Sequence, residues 1–272
     1  MYIENATTAL TTALTIWDNR SRIATASKRI WRRVKKGTLR VAIFGPGGMG
    51  KTTLGKFLSG GWDPYQDKTD YHESIGIEEF KLRGDVPCTL TVPPGQERRR
   101  PHTWNGVLAD LVKGKSRGVI NVVSYGQQSF SLPWKLHRCY TEGMTIKQFV
   151  AAQVLAARQE ELDVVKALAQ NLKLTPKLWM ITLVTKQDLW WPERQAVKKY
   201  YEEGKYNDTV NEISAQVGAA HFKHEVLSAS LARCNRMDSE GKLLCKVASG
   251  YDDGVQTANL RQLLDTIVKL GG

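Results

Sequence analysis

One short stretch constrains the fold of this chain more than any other. Residues 45–52 read Gly-Pro-Gly-Gly-Met-Gly-Lys-Thr and fit the pattern GxxxxGK[ST], between an apolar run of strand length at 38–45 and a helix-forming stretch at 51–60. Glycines allow backbone N–H groups to turn inward around phosphate oxygens, because no Cβ stands in the way. The N-terminus of the following helix adds a partial positive charge. The pattern therefore predicts a phosphate-binding loop in a strand–loop–helix unit.

Side chains of this loop are candidates for nucleotide contacts. Lys51 is expected to reach the terminal phosphates of a nucleoside triphosphate, and the Thr52 hydroxyl to ligate Mg²⁺. The other predicted nucleotide-binding positions of the loop are Gly45, Gly47, Gly48, Met49, Gly50 and Thr53. The loop alone does not distinguish GTP from ATP, so the base must be inferred from other motifs.

Beyond the loop, the chain alternates apolar strand-like runs with helix-like stretches. Further strands are predicted at 75–83, 88–92, 118–126, 178–184 and 224–230, and helices at 147–172, around 192–203 and 207–218, and at 256–270. Strands that are apolar throughout and separated by helices favour an α/β fold, here a mostly parallel six-stranded sheet covered by helices on both faces. Residues 126–146 and 233–254 look like loop insertions.

Two short motifs follow the last two predicted strands. Thr185-Lys186-Gln187-Asp188 comes after the apolar run 178–184, and the final strand ends in Leu-Ser-Ala-Ser at 227–230. A carboxylate can accept two hydrogen bonds from neighbouring nitrogens of guanine, a pair of donors that adenine lacks. With the phosphate loop, these motifs occur in the order found in Ras-superfamily small GTPases. The chain resembles that family over about residues 38–272.

The resemblance implies roles for the residues of both motifs. It implies that Asp188 selects guanine, and that Lys186, after Thr185, lies across the base and braces the phosphate loop. The last strand's end is similar to the family's SA[KLS] element, whose backbone N–H contacts the base oxygen. The positions that match it are Ser228, Ala229 and Ser230.

Residues 74–82, SIGIEEFKL, resemble the T-[IV]-G segment that enters the second strand in related GTPases. This match implies that Ser74 is a second Mg²⁺ ligand when GTP is bound, and the nearby Thr69 is an alternative. The family also places an aromatic side chain against the base in this region. Trp62 and Tyr65 are the two candidates for that contact.

A third motif departs from the family. The family reads DxxGQE after the third strand, whereas residues 92–97 read Val-Pro-Pro-Gly-Gln-Glu. Gly95 and Gln96 match, and Gln96 corresponds to the residue that orients the attacking water. Val92 replaces an aspartate that holds Mg²⁺ through a water, so the metal is expected to be held less well. Gln96 and Lys51 are the predicted catalytic residues.

The resemblance therefore implies a molecular switch that binds GTP and GDP with Mg²⁺, hydrolyses GTP slowly, and has a protein effector or regulator. A scaffold that binds GTP or GDP with little or no hydrolysis is the alternative that Val92 favours. A P-loop kinase or ATPase is disfavoured by the motif at 185–188. Arg98, Arg99 and Arg100 could present an internal arginine to the γ-phosphate, bind an acidic partner, or form a solvated loop.

The charge of the chain is concentrated near its start. Of the net charge of +12, residues 20–40 contribute nine basic side chains and no acidic ones, so the rest of the chain is close to neutral. Residues 5–36 within segment 1–37 predict an amphipathic helix with a basic surface, which could pack on the main domain or a partner helix, or lie on an anionic membrane surface. Nucleic acid is a less favoured partner, because the main domain is not basic. The absence of a secretory leader predicts a cytoplasmic location, with peripheral membrane attachment left open.

Overall fold

The computed structural model describes residues 39–64, 73–82, 88–172, 175 and 177–271. The predicted N-terminal helix at 5–36 lies outside these residues, as do Tyr65 and Thr69. Within them, no helix is long and apolar enough to cross a bilayer.

Six strands form the central sheet of the described chain, in the order β2-β3-β1-β4-β5-β6. Their bounds are β1 Leu39–Phe44, β2 Glu78–Leu82, β3 Cys88–Val92, β4 Gly118–Val123, β5 Leu178–Val184 and β6 Phe222–Ser228. β2 and β3 are antiparallel, and all other neighbours are parallel. The expectation of a mostly parallel six-stranded sheet is confirmed.

Helices cover both faces of this sheet. The α-helices are α1 Lys51–Ser59, α2 Arg100–Val112, α3 Ile146–Asn171, α4 Gln187–Trp190, α5 Arg194–Glu203, α6 Lys205–Val217 and α7 Asp253–Gly271. Every residue of β4 and β5 is buried, as expected for parallel strands with helices above and below. Along β1, Val41 and Ile43 join the apolar cluster that includes α1 and α7, while Ala42 and Phe44 join the cluster of α2, α3, α5 and α6. This alternation follows from the two-residue period of a strand.

Two elements were missed in the sequence. Helix α2 lies between β3 and β4, and its residues Trp104, Val107, Leu108 and Leu111 are buried. Their spacing of three and four residues is the signal of an amphipathic helix. The segment 233–254 contains a short antiparallel hairpin, β7 Arg236–Met237 and β8 Leu243–Cys245, and the first residues of α7.

Candidate functional site

The phosphate loop joins the carboxyl end of β1 to α1. Gly45 has φ +136° and Gly48 has φ +69°, and a Cβ on either would overlap a backbone oxygen, that of Val122 at Gly45 and that of Ser129 at Gly48. No other residue type fits these two positions without moving the backbone. The loop is therefore clamped between β4 and the segment that follows it.

Lys51 lies at the start of α1 and is 7% exposed. Its Nζ donates a hydrogen bond to the backbone oxygen of Pro46, at 2.7 Å. Burial, followed by the positive charge of Arg100, lowers the pKa of Lys51 to about 7. A Cβ on Gly95 would overlap Lys51 Nζ, so the segment after β3 lies directly against the phosphate loop.

The motif at 185–188 is tied to the same loop. Thr185 Oγ1 donates to the backbone oxygen of Met49 at 2.7 Å, and Lys186 Nζ donates to that of Gly48 at 2.9 Å. Lys186 Nζ also donates to Gln127 O at 2.6 Å and to Ser129 Oγ at 2.7 Å. Burial, followed by the charge of Arg236, lowers the pKa of Lys186 to about 7. These contacts fix the two motifs relative to each other.

Asp188 is buried beside the end of β6. Its Oδ1 accepts a hydrogen bond from Ser230 Oγ at 2.5 Å, and its Oδ2 accepts one from the Cys234 N–H at 3.1 Å. Burial raises the pKa of the Asp188 carboxyl, while these hydrogen bonds act in the opposite direction. The surrounding donors are those that suit an ionised carboxylate.

The structure distinguishes between the three residues at 228–230. Ser230 contacts Asp188, whereas Ala229 donates its N–H to Val184 O in the sheet, at 3.1 Å. Ser228 is the last residue of β6 and pairs with Val184. Among the three predicted positions, the Ser230 hydroxyl therefore lies against Asp188, while Ser228 belongs to the sheet.

Of the two aromatic candidates, Trp62 lies within the described residues and borders this site. Its indole Nε1 donates to the backbone oxygen of Leu231 at 3.0 Å. The Leu231 side chain in turn faces Gly50, where a Cβ would lie 3.5 Å from Leu231 Cδ1. Residues from three separate segments thus converge beside the phosphate loop.

Gln96 lies on the other side of the loop. A Cβ on Gly47 would lie 3.5 Å from Gln96 Cγ, so the glycine leaves room for the glutamine side chain. Gln96 Oε1 is buried and has no hydrogen-bond partner among the described residues. The predicted catalytic glutamine is thus next to the loop that would hold the terminal phosphate.

The three arginines after Gln96 have different surroundings. Arg99 donates to the backbone oxygen of Ser74, and Arg100 donates to that of Gly95 at 2.8 Å while forming an ion pair with Glu160. The Arg98 side chain is 75% exposed. Arg99 therefore joins its segment to the one that contains Ser74, and Arg100 joins the same segment to Glu160 on α3.

The two predicted metal ligands are close together. Thr52 Oγ1 and Ser74 Oγ are 3.2 Å apart. Ser74 Oγ also donates to Oε1 of Glu78 at 2.8 Å, so a carboxylate that was not considered in the sequence belongs to the same group. Two hydroxyls and a carboxylate are hard oxygen donors of the kind that Mg²⁺ prefers, and these residues fit such an ion.

The sheet order, with the phosphate loop after β1 and the 185–188 motif after β5, defines the fold of a small-GTPase-like P-loop G domain. A solved structure of the chloroplast translocon components atToc33 and psToc159, for whose GTPase activity dimerization is described as important, is similar to this chain with a TM-score of 0.50 and 13% identity. That likeness covers 92% of this chain and 91% of the other. It shows the fold alone.

Two further solved structures align less closely. The mammalian SRP receptor has a TM-score of 0.45 and 19% identity over 85% of this chain and 99% of that one. An ADP-ribosylation-factor-like protein, the small COPII coat GTPase SAR1 from Encephalitozoon cuniculi, has a TM-score of 0.43 and 11% identity, over 97% of this chain and 95% of that one. No protein-family model matches the sequence. No curated protein matches it.

Proposed function

We propose that this protein binds GTP and GDP together with Mg²⁺, hydrolyses GTP slowly, and acts as a molecular switch. The observation that carries the proposal is the pair of contacts from Thr185 and Lys186 to the backbone of the phosphate loop. They hold Asp188 at a fixed place relative to the phosphate-binding glycines. Because Asp188 is rigidly linked to the phosphate loop, a single ligand that carries both a base and phosphates could occupy the two sites together.

Selection of guanine rests on the buried carboxylate of Asp188. Each of its oxygens accepts one hydrogen bond within the protein, and each has a further lone pair. The N1–H and exocyclic N–H of guanine would complete these acceptors. Adenine offers no such pair of donors, so ATP would leave a buried charged group poorly paired.

Mg²⁺ would be held by the hydroxyls of Thr52 and Ser74, and when bound it would neutralise charge on the phosphates. Lys51 would bind the terminal phosphates and stabilise the charge that develops on them. Gln96 would orient the attacking water, because its side chain lies next to Gly47.

The tethered arginines support a slow reaction. Arg99 donates to Ser74 O and so links the segment after Gln96 to the residues that precede β2, while Arg100 donates to Gly95 O within its own segment. A protein partner would then supply the arginine that accelerates hydrolysis, an effect of about 10³–10⁵ in comparable enzymes. The segment 5–36 is a proposed second contact, with a partner helix or an anionic membrane surface.

A single-turnover assay tests hydrolysis. The protein is loaded with labelled GTP and Mg²⁺, and GDP formation is followed with Lys51→Ala and Gln96→Leu variants alongside. We expect wild type to convert GTP at about 10⁻⁴–10⁻³ s⁻¹, the range of unassisted small GTPases. Gln96→Leu should bind GTP normally and convert it at least tenfold more slowly, and Lys51→Ala should bind it weakly.

The same assay decides between the switch and its alternative. Val92 favours a scaffold that holds GTP or GDP without useful hydrolysis, because it removes an acceptor from the metal site. GTP that stays bound and intact in wild type over many hours would support the scaffold. GDP formed at equal rates by wild type and Gln96→Leu would contradict the role given to Gln96.

A further inference from the structure

The sheet register places an acidic residue directly opposite the valine that breaks the third motif. In the antiparallel pair β2–β3, Glu78 is the partner of Val92. Directly opposed residues point to the same face of a sheet, with their Cβ atoms about 4.5–5.5 Å apart. Val92 is buried in the cluster that contains residues of α1, so the Glu78 side chain begins beside that same helix.

The Glu78 carboxylate extends from there toward the metal-binding hydroxyls. Its Oε1 accepts the hydrogen bond from Ser74 Oγ at 2.8 Å, and Ser74 Oγ is 3.2 Å from Thr52 Oγ1. Its Oε2 is buried and has no hydrogen-bond partner among the described residues. A buried carboxylate oxygen without a donor is costly unless a cation neutralises it.

The spacing of these oxygens suits one small ion. Mg²⁺ binds oxygen at about 2.0–2.1 Å in an octahedron, so neighbouring ligand oxygens lie about 2.9 Å apart. The two separations, 2.8 Å and 3.2 Å, are close to this value. The negative charge of Glu78 is also near enough to Lys51 to favour its protonated form and raise its pKa, against the larger effect of burial.

Local packing keeps β2 close to α1. The ring of Phe80 lies against Gly55 on α1, and a Cβ on that glycine would overlap ring atoms. Phe80 is two residues from Glu78 and therefore on the same face of the strand. This close approach brings the Glu78 carboxylate within reach of the first turn of α1.

We propose that Glu78 provides the carboxylate of the Mg²⁺ site, in place of the acidic residue that Val92 replaces. Glu78 is paired with Val92 across the β2–β3 ladder, so the acidic group lies on the neighbouring strand. The glutamate side chain is longer than that of aspartate and spans the extra distance. Metal binding is thereby restored rather than weakened. This inference rests on the proposed binding of guanine nucleotides.

Nucleotide release provides a test that does not depend on hydrolysis. The full chain is loaded with fluorescently labelled GDP, and release is timed at increasing Mg²⁺ and in excess chelator. We expect wild type to release GDP at least tenfold faster in chelator. Glu78→Gln should need at least tenfold more Mg²⁺ than wild type to slow GDP release. Glu79→Gln is the matched control, because Glu79 is exposed on the opposite face of β2, and it should behave as wild type.

Mn²⁺ offers a direct measure of the metal. Mn²⁺ is titrated against the GDP-bound protein, and its binding is followed by electron paramagnetic resonance. The dissociation constant for Mn²⁺ should be at least tenfold larger for Glu78→Gln than for Glu79→Gln. Adding Val92→Asp to Glu78→Gln should restore Mg²⁺-dependent release in the folded protein. Should that double variant fail to fold, the comparison between Glu78→Gln and Glu79→Gln decides the matter alone.

The outcomes separate the two proposals. Glu78→Gln with the Mg²⁺ response and Mn²⁺ affinity of wild type would overturn the role of Glu78. Wild type that binds GDP but is indifferent to Mg²⁺ would overturn the metal site and leave nucleotide binding standing. Wild type that binds no GDP would contradict the proposed function itself.

Discussion

Ser228 is the last residue of β6, Ser230 follows two residues later, and the two hydroxyls differ in their contacts with Asp188. From the sequence, both serines are predicted nucleotide-binding positions, because the motif at 227–230 contains both. Ser230 Oγ donates to Asp188 Oδ1 and accepts from the Asp188 N–H at 2.9 Å. Ser230 therefore orients the carboxylate that is proposed to read the base.

Removing this hydroxyl should weaken binding of guanine nucleotides. A hydrogen bond to a charged group is worth about 1.5–3 kcal/mol, so Ser230→Ala should lower GDP affinity by about 10–100-fold. Ser228→Ala, the matched control, should change it less than threefold. Titration with labelled GDP measures both. Equal losses in the two variants would contradict the role given to the contact between Ser230 and Asp188.

At the scale of elements, the strand–loop–helix unit and the 185–188 motif could be predicted because each depends on contiguous residues. The phosphate loop needs glycines at fixed positions, and β5 is apolar from end to end. Glu78 could not be found this way, because its partner Val92 is distant in sequence and is brought opposite by the β2–β3 register. Helix α2 was missed for a different reason, since it starts with an arginine-rich stretch and its first two buried positions are separated by Asn105 and Gly106.

Two helical glycines should respond oppositely to alanine. Ala is favoured over Gly inside a helix by about 0.8–1 kcal/mol, so Gly106→Ala on α2, where a Cβ would meet nothing within 4 Å, should stabilise the protein by about that amount. At Gly55 the added methyl would displace Phe80, and we expect a net loss of about 1–3 kcal/mol. Urea denaturation measures both free energies of unfolding.

The Gly55→Ala variant also tests how β2 is held. Displacing Phe80 would move β2 away from α1, so Mg²⁺-dependent GDP release should weaken in this variant and stay unchanged in Gly106→Ala. A Gly55→Ala protein as stable as Gly106→Ala would show that Phe80 gives way freely and that the contact does not position β2.

At the scale of the whole molecule, the central sheet explains how distant residues meet. The phosphate loop follows β1, Gln96 follows β3, the Lys186 motif follows β5 and Ser230 follows β6. Since these four strands are parallel within the sheet, their carboxyl ends lie along one edge, where α/β proteins bind ligands. β2 runs in the opposite direction, so its first residue, Glu78, lies at this same edge.

Both segments that the sequence predicts as insertions begin next to this edge of the sheet. Residues 127–129, after β4, contact Lys186 and the phosphate loop through Gln127 O and Ser129, while Gln128 donates to Gly47 O at 2.9 Å. Cys234, after β6, donates to Asp188. The beginnings of both segments therefore belong to the site, although neither carries a motif that the sequence alone could have assigned.

Competition for labelled GDP in the presence of Mg²⁺ tests the central claim most directly. Unlabelled GTP, GDP and ATP are titrated against wild type and against Asp188→Asn. We predict that GTP and GDP displace the label at least 10³-fold more effectively than ATP, and that Asp188→Asn loses at least tenfold in affinity for GTP without gaining ATP binding. Displacement by ATP at concentrations similar to those of GTP would contradict the assignment of a guanine-nucleotide site.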